Sequence, residues 1–135
     1  MANILTGDSI VDEHGAIRFV NDFDFKNVRR FYQMETHNVG GVRAWMGSKT
    51  ADTYVYVPSG SAQFAVVNLD TNDIQKIVLS AVKPRVMWIA PNSVFGFQTL
   101  EEHTLLILFS SETEAESKVS EVKFPKEQWE VFKNG

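Results

Sequence analysis

Arg43 is the residue whose surroundings most clearly suggest chemistry in this 135-residue sequence. It stands in the stretch GGVRAWMGSK (residues 40–49), flanked by valine and alanine and followed by tryptophan and methionine. A guanidinium inside an apolar run needs an ion-pair partner or a ligand. As a ligand contact it could clamp an anionic or carbonyl oxygen, or stabilise the negative charge of an enolate. The structural alternative is an ion pair with an acid such as Glu35.

An acid–base pair for abstracting a proton next to a ketone could come from the residues that follow. Asp52 is the nearest carboxylate in sequence and could act as the base, while Tyr54 or Tyr56 could relay a proton. Lys49 offers a second positive charge. Other candidate bases are Glu35, His37 and His103. For Asp52 the competing interpretation is an exposed carboxylate at the start of a strand.

Motifs for other chemistries are missing from the sequence. The three histidines are isolated from one another, without an HxH or HxxH pair, and there is no cysteine. We therefore expect no metal site, no cofactor and no disulfide. No glycine-rich loop joins a strand to a helix, and no GxSxG elbow occurs.

Composition and charge narrow the class of protein. Hydrophobic residues make up 44% of the sequence, which suits the core of one domain spanning residues 1–135. The 13 basic and 17 acidic residues give a net charge of −4 without a basic stripe, so we expect no nucleic-acid partner. The sequence contains neither a long apolar run nor a signal-peptide pattern, which predicts a cytoplasmic protein with no membrane span.

Short apolar or alternating runs, separated by turn residues, predict strands along most of the chain. They cover 16–20, 28–35, 42–46, 53–57, 62–69, 75–79, 86–90, 95–100 and 103–109. Such spacing is typical of an all-β sandwich or barrel. Alternation places Tyr54 and Tyr56 on one face of their strand, and Gln63 on one face of the next. A small barrel with such side chains on its inner face would hold a concave pocket.

Two features near the C-terminus complete the expected architecture. The polar window 111–121 predicts one short surface helix. The tail 123–132 carries four large apolar side chains, which we expect to dock on the protein's own barrel or on a partner subunit.

Nearly the whole chain, from about residue 8 to residue 132, carries segments with a family likeness. They are DEHGAIRFVNDFDF, VRRFYQME, GVRAWMGSKTADTYVYVPSGSAQFAVV, WIAPNSVFGFQTLEEHTLLILFSS and VKFPKEQWEVF. Together they resemble the RmlC-like cupins, which are the dTDP-4-dehydrorhamnose 3,5-epimerases and the dTDP-sugar 3,4-ketoisomerases (WxcM-like proteins). The resemblance implies a double-stranded β-helix (a cupin, or jelly-roll, barrel), a homodimer, and a nucleotide-sugar or carbohydrate ligand.

Several positions depart from the residues that the resemblance implies. The substrate-binding arginine of the family is kept as Arg43, but Met46 and Ser48 stand where histidines are expected, and Phe95 stands where another often occurs. A thioether cannot accept a proton as the family's general base does. The arginine that the family directs at the nucleotide phosphates is His14 here.

Three functions therefore stay open. The first is a metal-independent epimerase or ketoisomerase acting on a dTDP-4-keto-6-deoxyhexose in surface-polysaccharide biosynthesis. The second is a catalytically degenerate carbohydrate-binding or structural dimeric cupin, and the third is a partner-binding subunit. The predicted catalytic residues are Asp52 and Tyr54, and the predicted ligand-binding residues are Arg43, Trp45, Lys49, Tyr56, Gln63 and His14.

Overall fold

A computed structural model describes residues 2–132 of the protein. Its strands are β1 (Ala2–Thr6), β2 (Asp8–Asp12), β3 (Gly15–Phe19), β4 (Arg30–Glu35), β5 (Val42–Ser48), β6 (Thr53–Ser59), β7 (Ser61–Asn68), β8 (Ile74–Ser80), β9 (Arg85–Ile89), β10 (Ser93–Thr99), β11 (Leu105–Ser110) and β12 (Glu121–Lys123). Helix α1 spans Glu114–Ser120, and a single 3-10 turn spans Lys126–Gln128. None of the helices in residues 2–132 is long and apolar enough to cross a lipid bilayer.

The strands form two five-stranded antiparallel sheets and a separate hairpin. One sheet has the order β1-β9-β6-β11-β4, the other has the order β12-β5-β10-β7-β8, and β2 pairs only with β3. Strands that are adjacent in sequence alternate between the two sheets over much of the chain. This arrangement confirms the predicted double-stranded β-helix.

Alternating side chains fill the space between the sheets. On β7 and β10, Phe64 and Phe97 are fully buried, and their ring centroids lie 5.5 Å apart. From the facing sheet, Val55 and Leu108 join the same cluster. The period of two along each strand sends these side chains inward and their neighbours outward. The core therefore lies between the sheets.

Hydrogen bonds join the two sheets along one side of the barrel, and the sheets are not paired along the other side. Where β1 meets β8, the Ala2 amide donates to Oε1 of Gln75 at 3.0 Å, and Nε2 of Gln75 donates to the Ala2 carbonyl at 3.1 Å. On the opposite side, β4 is the edge of its sheet and faces β5 and β12 without pairing with either. We call this gap the open seam.

The C-terminal tail packs on the outer face of the second sheet. Trp45 lies at the centre of this layer, with its ring centroid 5.3 Å from that of Trp129 and 5.7 Å from that of Phe132. Its indole Nε1 donates to the Lys126 carbonyl at 3.2 Å. The tail was expected to dock either on its own barrel or on a partner subunit, and in this structure it docks on its own barrel.

Helix α1 begins where a capping box closes its first turn. The Thr113 hydroxyl accepts from the Glu116 amide at 3.3 Å, while the Glu116 carboxylate accepts from the Thr113 amide at 2.9 Å. These backbone and side-chain bonds to Thr113 lower the pKa of Glu116. The sequence window 111–121 contains this helix, but strand β2 and strand β1 were not predicted from the sequence.

Candidate functional site

A cavity of about 580 Å³ opens at the open seam. Its walls come from the inner faces of β4 and β5, from Phe95 on β10, and from α1 and β12 at the rim. Because the seam is unpaired, this is where a molecule from solution can enter the barrel. We call it the seam cavity.

Arg43 lines the seam cavity because of an irregularity in β5. Phe95 pairs with Met46, yet Phe97, two residues farther along β10, pairs with Arg43, three residues back along β5. The extra residue on β5 is a bulge, and it turns Arg43 to the same face as the buried Phe97. Without it, Arg43 and Met46 would point to opposite faces, since three is an odd number of steps.

The tight packing beside the bulge depends on Gly96. A Cβ atom at this position would lie 2.5 Å from the Cβ of Ala44, closer than two carbons can approach. The Arg43 side chain is solvent-exposed at the open cavity, and no carboxylate within residues 2–132 forms an ion pair with it. The Glu35 pairing considered from the sequence is therefore not formed.

Arg30 and Tyr32 are cavity residues that the sequence reasoning missed. Strand β4 alternates Arg30, Tyr32 and Met34 on its inner face, opposite Ser110, Leu108 and Leu106 of β11. The Arg30 guanidinium lies over the Tyr32 ring, 4.8 Å from its centroid. Burial raises the pKa of Tyr32, Arg30 opposes the rise, and Glu121 adds to it. The phenol is therefore protonated at neutral pH and can donate a hydrogen bond.

The positions where the family resemblance expects histidines hold structural side chains. Met46 packs against the inner core, and Phe95 is 2% exposed. The Ser48 hydroxyl donates to Oγ of Ser120 at 2.9 Å and accepts from the Ala51 amide at 2.9 Å. These side chains stabilise the site and supply no basic nitrogen.

The predicted catalytic residues lie on the opposite face of the first sheet from the seam cavity. Val55 and Val57 of β6 face the core, so Tyr54 and Tyr56 face outward. Asp52 accepts from Nε1 of Trp88 at 2.8 Å and from Nδ2 of Asn27 at 2.9 Å. Asp52, Tyr54 and Tyr56 therefore do not share a site with Arg43, and Asp52 instead fastens the loop before β4 to the sheet.

The remaining predicted ligand-binding residues are also dispersed. His14 lies in the exposed turn of the β2–β3 hairpin, Lys49 is exposed just after β5, and Gln63 points outward from β7. Trp45 contributes to the cavity wall, but its ring is 2% exposed and packs against the tail. Of the predicted set, only Arg43 presents a polar group to the seam cavity.

Several solved structures share this architecture. The dTDP-4-dehydrorhamnose 3,5-epimerase from Sulfolobus tokodaii superposes with a TM-score of 0.79 at 20% identity, over 96% of this chain and 81% of that chain. ChmJ, a 3'-monoepimerase from Streptomyces bikiniensis in complex with dTDP-quinovose, gives 0.78 at 13% identity, over 93% and 70%. A mutant of the 3,4-ketoisomerase QdtA from Thermoanaerobacterium thermosaccharolyticum, in complex with TDP-4-keto-6-deoxyglucose, gives 0.76 at 15% identity, over 91% and 87%.

Sequence comparison adds nothing to this likeness, since no protein-family model and no curated protein matches the chain. The structural agreement extends over more than nine-tenths of the residues in each of these comparisons. The chain therefore has the fold of the RmlC-like cupins, as the sequence resemblance implied.

Proposed function

We propose that this protein is a sugar-nucleotide-binding cupin, which holds a dTDP-4-keto-6-deoxyhexose or a related ligand in the seam cavity without abstracting a proton from it. The observation that carries the proposal is the pairing of Arg43 with Phe97, which directs into the open barrel a guanidinium that has no ion-pair partner among residues 2–132. The structural neighbours bound to dTDP-quinovose and to TDP-4-keto-6-deoxyglucose support this class of ligand.

The side chains around the cavity favour binding over turnover. Met46 and Ser48 have no basic nitrogen, and no histidine of the described chain lines the cavity. The two carboxylates at the rim each pair with a lysine: Glu114 with Lys118 at 3.4 Å, and Glu121 with Lys123 at 3.1 Å.

Turnover remains the second candidate function, with one observation in its favour. Tyr32 and Glu121 lie close enough for the carboxylate to influence the phenol's pKa. A carboxylate and a phenol can act as base and acid in removing a proton next to a ketone. Such an enzyme would serve surface-polysaccharide biosynthesis as a metal-independent epimerase or ketoisomerase.

Incubation with a dTDP-4-keto-6-deoxyhexose in heavy water separates the two candidates. Binding is measured by calorimetry in the same buffer, and the recovered sugar is analysed for deuterium by mass spectrometry and NMR. We expect saturable binding without deuterium at the ring carbons. Deuterium incorporation that is lost in Glu121→Gln would establish turnover, and the absence of binding to any dTDP-sugar would reject both candidates.

The proposal includes a homodimer of single cupin domains. The β2–β3 hairpin exposes Ile10, Val11 and Ile17, although an isolated two-stranded hairpin is marginally stable at best in water. On the outer face of the first sheet, Phe25 and Phe31 are 63% and 68% exposed. Apolar surface of this kind is common at protein–protein interfaces, and a second copy would supply a matching surface.

A further inference from the structure

Arg30 is the most unusual charged residue of the seam cavity. Its Nε atom is buried and has no hydrogen-bond partner, and none of the ion pairs within residues 2–132 includes it. Stacking on Tyr32 compensates for part of the lost hydration of the guanidinium but does not neutralise its charge. Arg30 as a whole is half-buried, but a buried polar atom without a hydrogen-bond partner is costly unless something else in the site completes it.

The side chains near Arg30 are hydrogen-bond donors. Arg30 pairs with Ser110, and Ser110 pairs with Thr53 on the next strand, so the three side chains line the same end of the cavity. Ser117 of α1 also lines the cavity, and Tyr32 carries a protonated phenol. Neither rim carboxylate, Glu114 or Glu121, forms an ion pair with Arg30, and each pairs with a lysine of its own element, so these two pairs add no net negative charge to the rim.

Arg30 and Arg43 occupy opposite ends of the cavity. Ser48, Thr53 and Ser110 come together at the Arg30 end, through the short connection from β5 to β6 and the pairing of β6 with β11. Arg43 precedes Ser48 by five residues along β5, but the bulge makes this span match only the four steps from Ser93 to Phe97 on β10, which corresponds to roughly 13 Å at the rise of a strand. An elongated ligand can therefore contact both guanidinium groups, one near each end.

We infer that Arg30, with the hydroxyl groups of Tyr32, Ser110 and Ser117, forms an oxyanion subsite that binds a phosphate or carboxylate group of the ligand. Arg43 then contacts the other end of the same molecule. The inference deepens the proposed function, on which it rests for the identity of the whole ligand. The oxyanion can come from the diphosphate of a nucleotide or from an acidic sugar, and the test below distinguishes them.

Calorimetric titration with thymidine, dTDP, dTDP-glucose, inorganic pyrophosphate and glucuronate tests the subsite in the wild type and in Arg30→Met. Arg29→Met is the matched control, because Arg29 is the neighbouring, exposed arginine and pairs with Glu116 at 3.5 Å. We expect the wild type and the control to bind an oxyanion-bearing probe, and Arg30→Met to bind it about 10- to 100-fold more weakly, as loss of a charge-assisted contact implies. Thymidine affinity should not change.

The outcomes separate this inference from the proposed function. If dTDP and pyrophosphate show the Arg30-dependent loss, the oxyanion is a phosphate; if only glucuronate does, it is a sugar carboxylate, and the subsite stands in both cases. If the wild type binds no nucleotide but binds pyrophosphate or glucuronate through Arg30, the proposed function fails and the subsite remains. The subsite is overturned if folded Arg30→Met, checked by circular dichroism, binds every probe as the wild type does, or if the wild type binds no oxyanion.

Discussion

The Ser48 hydroxyl donates to the Ser120 hydroxyl, and this bond joins β5 to the segment that forms the rim of the seam cavity. Ser120 in turn donates to Oε1 of Glu112 at 2.5 Å, and Thr50 donates to Oε2 of the same carboxylate at 2.5 Å. Glu112 thus connects both sides of the β5–β12 pairing. The network occupies a position at which the family resemblance expects a histidine.

Glu112→Ala should therefore destabilise the protein and loosen the rim. The two hydroxyl groups that donate to the carboxylate lose their acceptor, and we expect a loss of about 1–3 kcal/mol in the free energy of unfolding, since hydrogen bonds to charged groups contribute about this much. Urea denaturation measures the loss, with Glu102→Ala as the control at an exposed loop position. Equal stability of the two variants would contradict the role of this network.

Asp52→Ala should reduce stability and leave ligand binding unchanged. The carboxylate lies on the outer face, where it accepts from Trp88 and Asn27. Its removal leaves the indole N–H without an acceptor, at a cost of about 1–2 kcal/mol. Urea denaturation measures the loss of stability, and titration with a dTDP-sugar tests whether binding is unchanged. Asp22→Ala is the control at an exposed carboxylate. Loss of binding at unchanged stability would instead support the catalytic role predicted from the sequence.

Trp45→Phe tests whether this tryptophan stacks on a ligand or anchors the tail. The substitution removes the hydrogen bond to the Lys126 carbonyl and part of the contact with Trp129. We expect about 1–2 kcal/mol lower stability and faster proteolysis of the tail, because a buried hydrogen bond and aromatic area are lost together. Affinity for a dTDP-sugar should stay the same. Weaker binding with an intact tail would favour the sugar-stacking interpretation.

Tyr32 should titrate above the usual range of a tyrosine in the folded protein. Burial raises its pKa in the folded state, so the folded protein holds this proton more tightly than the unfolded chain does. Its contribution to stability is fully present below the unfolded pKa of about 10 and is lost as the pH rises toward the folded pKa. Absorbance at alkaline pH should show a phenol with a raised pKa that disappears in Tyr32→Phe. If a phenol with a raised pKa persists in Tyr32→Phe, the assignment of the raised pKa to Tyr32 is wrong.

Ile17→Asp should convert a dimer into a monomer. Ile17 pairs with Ile10 in the hairpin and is 64% exposed, so a carboxylate here adds charge to the proposed interface. Light scattering on the eluting protein gives the mass of each species. Val119→Asp is the control, because Val119 is an exposed apolar residue on α1, with 89% of its surface accessible, and lies outside the hairpin. A wild type that elutes as a monomer at micromolar concentration would reject the dimer.

The barrel follows from the sequence because short alternating strands with frequent turns favour it. The face of each strand was harder to predict. In TYVYV, alternation separates the tyrosines from the valines, but both faces of the sheet are covered in part, and the pattern does not say which set faces the core. The valines do, which moves Tyr54 out of the cavity.

Arg43, which was predicted to contact a ligand, and Arg30, which was missed, show two limits of strand patterns. Arg43 reaches the inner face only through the bulge in β5, and strict alternation with Met46 would place it outside. Arg30 had a usable signal, since the run RFYQME places arginine, tyrosine and methionine on one face. Two consecutive arginines resemble a solvated charge cluster, so the pattern does not distinguish the exposed Arg29 from the half-buried Arg30.

The two hydrogen bonds between Ala2 and Gln75 hold the two sheets together along one flank. Separation of the sheets would then widen the opposite flank, where β4 pairs with no strand of the other sheet. A ligand bound in the seam cavity would contact both sheets and would bind only the folded protein. The melting temperature would therefore rise with the fraction of protein that holds the ligand.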